Sequence, residues 1–267
     1  MLHHELIYHK NQDAEWVVFL HGAGGSIATW KYQLEAFKSA YHLLLVDLRD
    51  HGQSRMPDEH DQYTFELISA DILAVINKVQ ISQAHFITLS FGSVILQDLS
   101  IRYPQLIKSA IFAGGIFKPN FSIKAFVYLA KGMNNFLPYR WMYSLFSYLL
   151  MPRKHHQLSR KIYKKQAEKI SPKAYMRWVG LYREFFELLN RYYYQTIGFP
   201  SLVIMGKEDY VFLKSAKKFT QIHDSVNLQV LSGAGHICNI DQVSSFNKKA
   251  LTFIEGFYET GKLLVKR

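Results

Sequence analysis

Residues 85–97 read HFITLSFGSVILQ, with one serine, Ser90, set between an apolar run and a small-residue turn. An apolar run rich in β-branched and aromatic residues, broken by Ser-Phe-Gly, predicts a buried strand passing directly into a helix. The stretch nearly fits G-x-S-x-G, a pattern that holds a serine on a sharp strand-to-helix turn, where small neighbours let the two elements approach closely. Gly92 meets that demand. Thr88 stands where the first glycine would be, and a β-branched side chain occupies more of the space at that approach.

Outward from this turn, the runs at 16–20 (WVVFL), 43–48 (LLLVDL), 107–113 (IKSAIFA), 202–205 (LVIM) and 228–231 (LQVL) have the same character and predict further buried strands. Helical periodicity fills the intervals at 29–39, 64–79, 92–103, 213–222 and 242–257. Leu67, Ile68, Ile72, Val75, Ile76 and Val79 share one face of the second of these. Alternating strands and helices predict an α/β fold with a mostly parallel sheet covered on both faces. The alternation stops after Phe112, and a long aromatic, basic, helical stretch precedes FPSLVIM. It is longer than a crossover connection needs. We expect a core domain from 1–116 and 199–267, with 117–198 inserted as a helical cap over the carboxyl ends of the strands. Pro119, Pro138, Pro152, Pro172 and Pro200 divide that insertion into about four pieces.

Composition narrows the class. The chain has 267 residues, 49% of them hydrophobic, enough for one large core and an inserted subdomain. Its single cysteine, Cys238, excludes an internal disulfide framework and a thiolate metal site. The segment MLHHELIYHKNQDAEW lacks the basic and apolar regions of a signal peptide, so the expected location is cytoplasmic. The most apolar long window, 125–150, contains Lys131, Asn134, Asn135 and Arg140, which oppose a membrane span. The formal charge is +11, but residues 117–198 hold 15 Lys or Arg against 3 Asp or Glu, leaving −1 for the rest.

Three loops at predicted strand ends carry polar chemistry. HGAGGS follows the strand at 16–20, and such a Gly-rich turn presents backbone N–H groups. The N–H groups of Ala23 and Phe91 are the candidate donors to an oxyanion. No G-K-[ST] accompanies the turn to suggest a phosphate loop. GKEDYVF brings Asp209, with Glu208 as a reserve carboxylate, to the end of the strand at 202–205, and LSGAGHICNID brings His236 after 228–231. Taken singly, each has a plain structural reading as a turn.

Together HGAGGS, DLRDHGQS (47–54), LSFGS (89–93), GKED (206–209) and GAGH (233–236) resemble the α/β-hydrolase family, in family order and nearly throughout the chain outside the cap. Asp50 replaces a glycine of the second motif, and aspartate tolerates left-handed backbone. The resemblance implies a Ser90, Asp209, His236 triad, the chain order followed on this fold. In it Ser90 attacks an acyl carbonyl, His236 moves the proton and Asp209 orients the imidazole. Serine at the turn argues against the aspartate-nucleophile branches, the haloalkane dehalogenases and epoxide hydrolases. No cofactor or metal is implied.

The expected activity is that of a carboxylesterase on a small to medium, largely apolar ester, with thioesters and lactones within the same mechanism. The alternatives are a carbon–carbon bond hydrolase or lyase on the same fold, and a ligand-binding signalling protein with a slow triad. The cap's aromatic residues fit an apolar pocket. RKIYKKQAEK (160–169) reads first as a solvated helix face, and it also fits the polar face of a helix resting on an anionic membrane or attracting an acidic substrate; nucleic acid is disfavoured because no known module accompanies the charge. Cys238 is expected to be a small buried apolar residue and His21 to shape its loop. His3-His4 and His155-His156 are read as surface residues.

Overall fold

The computed structural model describes residues 1–55, 62–118, 121–133 and 138–260; Pro119, Asn134 and Asn135, used above as breaks, lie outside the described residues. Its strands are β1 (His4–Ile7), β2 (Trp16–Leu20), β3 (His42–Val46), β4 (Ala84–Leu89), β5 (Ile107–Ala113), β6 (Ser201–Gly206) and β7 (Val226–Leu231). They form one sheet in the order β1-β3-β2-β4-β5-β6-β7. Only β1 is antiparallel to its neighbour among the described residues. From β2 to β6 nearly every side chain is buried, the signature of a parallel sheet covered on both faces. The α/β fold with a mostly parallel sheet is as the sequence predicts.

β1 escapes sequence pattern because HELI is short and half polar. Backbone pairing to β3, from His4 opposite Val46 to Ile7 opposite Leu43, makes it a strand.

The helices on the sheet are α1 (Leu34–Phe37), α2 (Phe65–Val79) and α3 (Phe91–Arg102). Five more, α4 (Phe121–Met133), α5 (Tyr139–Leu150), α6 (Gln157–Ala167), α7 (Pro172–Gly180) and α8 (Tyr182–Tyr194), stand between β5 and β6. α9 (Leu213–Gln221) follows β6, and α10 (Cys238–Asp241) and α11 (Val243–Thr260) follow β7. α2 follows its sequence signals: the Thr64 side chain accepts from the Leu67 N–H, and Gln80 ends the helix at φ 62°. The helix expected over 29–39 is instead a 3₁₀ turn, Ile27–Trp30, and the single turn α1. There the buried Gln33 amide donates to Asn239 O and Asn247 Oδ1, fixing the chain by side-chain bonds to α10 and α11.

α8 buries Phe185, Leu188, Leu189, Tyr192 and Tyr193, a helical stripe that joins the main core. α5, α6 and α7 share a second, smaller cluster around Tyr139, Tyr143 and Tyr175. No described helix is long and apolar enough to cross a membrane.

Candidate active site

Ser90 occupies the corner between β4 and α3 with φ 52° and ψ −118°, a positive-φ conformation that costs a non-glycine residue free energy. The corner is held on both sides: the Ser90 N–H donates to Ala113 O, and the Ser93 hydroxyl donates to Ser90 O. A Cβ on Gly92 would lie 2.6 Å from both Leu20 O and His21 O, so glycine is required where α3 passes the end of β2. Thr88 is buried at the end of β4. Its buried hydroxyl donates to Ile111 O at 3.3 Å along β5, which accounts for a β-branched residue in the first glycine's place.

Asp209 follows β6 and is fully buried; its Oδ1 accepts from the Phe212 N–H at 2.9 Å. Its Oδ2 lies 2.7 Å from His236 Nδ1, and His236 Nε2 lies 2.7 Å from Ser90 Oγ. With Asp209 ionised, Nδ1–H donates to the carboxylate, leaving Nε2 to accept from the serine hydroxyl. Phe212 packs on the imidazole with ring centroids 4.8 Å apart. The three residues predicted from dispersed loops thus meet in one hydrogen-bonded line. Glu208, the reserve carboxylate, faces His155 and His156 instead.

The backbone N–H groups of Ala23 and Phe91 have no hydrogen-bond partner among the described residues, and both residues line the cavity that holds Ser90 and His236. Phe91 is the first residue of α3, where N–H groups project free of the helix and the helix dipole favours negative charge. Behind Ala23, the Gly24 N–H donates to His51 Nε2 at 3.0 Å, and His51 Nδ1 donates to Arg49 O. His21 Nδ1 donates to Gly22 O, while its Nε2 accepts from the Leu48 N–H. Burial lowers His21 to about 4 and His51 to about 3, so both rings are neutral at pH 7. They clamp HGAGGS to the loop after β3, whose Asp50 takes the left-handed geometry expected of it, at φ 56°.

Sequence reasoning anticipated a shaping role for His21 but missed His51, whose only signal was its place in DLRDHGQS. It also missed Gly114. At φ 53°, a Cβ there would sit 2.5 Å from His236 O.

The cavity has a volume of about 170 Å³. Its walls include Phe91 and Phe212 from beyond the ends of β4 and β6 and Tyr143, Tyr175, Trp178 and Phe185 from the helices between β5 and β6. Among the described residues no Lys, Arg, Asp or Glu lines it. Trp178 is fixed by its indole N–H, which donates to Arg49 O at 3.2 Å.

Two expectations about histidines need correction. His3 is half-buried, with its Nδ1 3.0 Å from Asp47 Oδ2. His156 is fully buried, with Nε2 3.1 Å from Glu208 Oε2 and 3.8 Å from Asp241 Oδ2; His155 Nε2 reaches the same Glu208 oxygen at 2.9 Å. The Glu208–His156 approach is an ion-pair distance without an aligned hydrogen bond. Ligand atoms of His155, His156 and Glu208 lie within 4.8 Å of one another, close enough for a metal by distance. The ring chemistry opposes it: His156 Nδ1 accepts from the Arg153 N–H at 3.3 Å, which puts the neutral ring's proton on Nε2, the atom facing Glu208. The cluster ties α6 to the loops of Asp209 and His236, because Asp241 also accepts from the Gly235 N–H and the Ser159 hydroxyl. Cys238 is buried, as expected, and burial pushes its thiol well above the usual range.

Known proteins resemble this chain in sequence and fold. A match to the bifunctional epoxide hydrolase 2 of Sus scrofa, 30% identical, covers 39% of this chain but only 19% of that protein. A longer match, to 3-oxoadipate enol-lactonase 1 of Acinetobacter baylyi, is 25% identical over 88% of this chain and 86% of that one. Among solved structures, MenH from S. aureus superposes with a TM-score of 0.80 at 18% identity, covering 96% of this chain and 99% of that one. The family model described as "alpha/beta hydrolase fold" matches residues 15–243, and the chain belongs to that family.

Proposed function

We propose that the protein is a serine hydrolase that cleaves a carboxylic ester of a small to medium, largely apolar substrate through an acyl-enzyme. The observation that carries this reading is the line Ser90 Oγ, His236 Nε2, His236 Nδ1, Asp209 Oδ2, with both contacts at 2.7 Å, at the floor of an apolar cavity. Ser90 Oγ attacks the carbonyl carbon as its proton passes to His236 Nε2. Asp209 stabilises the imidazolium, and the oxyanion accepts from the N–H groups of Ala23 and Phe91. Each such donor is worth roughly 3–4 kcal/mol in the transition state. His236 then protonates the leaving alcohol as the tetrahedral carbon collapses to an ester of Ser90. Water, deprotonated by His236, attacks that ester and releases the acid.

We read 117–198 as the cap that selects the substrate. Side chains from α4, α5, α7 and α8 supporting that reading line the cavity together with Ser90 and His236. Their apolar character favours neutral acyl groups, since a carboxylate buried there would find no cationic partner among the described residues.

The test is steady-state hydrolysis of p-nitrophenyl esters from acetate to palmitate by wild type and Ser90→Ala, with thioesters and lactones of matched size. The expected result is turnover with an optimum in acyl length, abolished in the variant. Ligand binding without turnover would replace this reading by that of a receptor.

A further inference from the structure

The helix α5 is apolar on two faces. Its inner face contributes Tyr143, Phe146 and Leu150 to the cavity. Its outer face carries Trp141, Leu145, Tyr148 and Leu149, at i, i+4, i+7 and i+8, with exposures of 69, 50, 55 and 50%. Charged and polar residues are the rule on the outer face of a helix in water, and such an apolar stripe marks a contact surface.

Its surroundings say what kind. α6 packs beside α5 and brings cations to the stripe: the Arg160 guanidinium lies 5.0 Å and the Lys164 ammonium 5.5 Å from the centre of the Tyr148 ring. Lys161 and Lys165 are exposed on the same helix. Among the described residues no carboxylate makes an ion pair with Lys161, Lys164 or Lys165. Between the helices runs a groove of about 430 Å³, walled by Arg140, Trp141, Tyr143, Ser144 and Lys164, with Glu168 the acidic residue in it. Tyr143 belongs to both this groove and the cavity above Ser90. The chain's net positive charge belongs to the segment that contains these helices, +12 over 117–198 against −1 elsewhere.

We propose that the α5–α6 face is a peripheral membrane-binding surface for anionic phospholipid. Trp141, Leu145, Tyr148 and Leu149 enter the headgroup and acyl boundary, and Lys161, Lys164 and Lys165 meet lipid phosphates. An apolar stripe with a tryptophan beside a lysine-rich face is the composition of helices that lie in the interface plane. Charge complementarity selects this partner. A bilayer rich in phosphatidylserine offers a negative surface over the width of both helices, whereas a second copy of this chain would bring its own +12 segment against the first. The surface lies on the outer side of the cavity wall, so a docked protein holds the wall of its substrate pocket against the lipid.

Sedimentation of the full chain with vesicles tests this, using phosphatidylcholine alone and phosphatidylcholine mixed with phosphatidylserine. Binding to the anionic vesicles is expected at least about tenfold above binding to the neutral ones, and most of it is lost on raising salt from about 0.05 to about 0.5 M. Leu145→Ser with Leu149→Ser lowers binding by more than about tenfold. Lys161→Gln, Lys164→Gln and Lys165→Gln each lower it about fivefold, the factor that corresponds to about 1 kcal/mol per charge near the surface. Thermal melts and p-nitrophenyl acetate hydrolysis stay at wild-type values in all of these variants. Equal binding to both vesicles, no binding to either, or binding unchanged by the variants overturns the proposal. So does a dimer in sedimentation velocity that Leu145→Ser with Leu149→Ser converts to monomer, since a second copy then covers the stripe.

Discussion

The end of the sheet and the helices that face it supply the two halves of one cavity by different physical means. At the sheet's end, position is dictated by backbone. Ser90 is held at positive φ between two fixed partners, Gly92 lets α3 pass the end of β2, and Gly114 leaves room for His236. In α4 to α8, position comes from aromatic packing and a few side-chain anchors, such as the Trp178 indole on Arg49 O and the stacking of Phe185 on Phe91. The first half tolerates almost no change of size, whereas the second can be repacked. On the reading proposed above, chemistry resides in the rigid half and substrate choice in the adaptable one.

That division is broken most directly at the triad. Ser90→Ala is expected to lower kcat by about 10⁴-fold or more, and Asp209→Asn by about 10⁴-fold with KM nearly unchanged, because the amide favours the wrong tautomer of His236. A comparable loss from Phe185→Leu would place chemistry in the helices and erase the distinction. The next effect lies in the substrate. An ester whose acyl chain ends in a carboxylate is expected to have kcat/KM about 10²-fold below that of its methyl-ended analogue, since the cavity offers no charge to pair with it. Equal rates would mean that the charged end never enters the aromatic half.

Gly114→Ala sharpens the contrast from the backbone side. The added methyl meets His236 O and takes up a left-handed φ, so we expect a loss of about 2 kcal/mol in stability and a larger proportional loss in kcat than in KM. An equally small residue in the helices, Gly180, has nothing within 4 Å of its Cβ position, and Gly180→Ala is expected to leave activity as it is.

A further effect, on stability and not on turnover, appears on acidification. His21 and His51 titrate in the unfolded chain near 6.5 but only at about 4 and about 3 when folded. Groups with depressed folded values stabilise fully above pH 6.5 and progressively less below it, each costing about 1.4 kcal/mol per pH unit until its folded value is reached. Thermal melting between pH 7 and pH 4.5 should therefore show a decline that is shallower in His51→Gln than in wild type. Parallel declines would show that His51 does not remain neutral.

The same contrast explains what could be read from the sequence. Buried parallel strands are continuous apolar runs punctuated by glycine at their ends, so the loops of Ser90, Asp209, His236 and Ala23 could be placed, and the resemblance of their motifs to a known family then singled those residues out. Thr88 could not be resolved from sequence, because its fit depends on the carbonyl of Ile111 across the sheet. β1 was invisible since its strand character is a matter of pairing with β3. His51 and His156 were equally hidden, their burial arising from elements far away in the chain. In 117–198 the composition announced helices and charge, but which faces of α5 are buried was set only by packing.

The central claim is that Ser90 is an activated nucleophile. Intact-mass spectrometry after treatment with a fluorophosphonate tests it most directly, with peptide mapping and with His236→Ala alongside wild type. The account predicts stoichiometric addition of one phosphonyl group on Ser90 in wild type, slowed by about 10³-fold or more in His236→Ala. Labelling at another residue, or none in a folded wild-type protein, would contradict it.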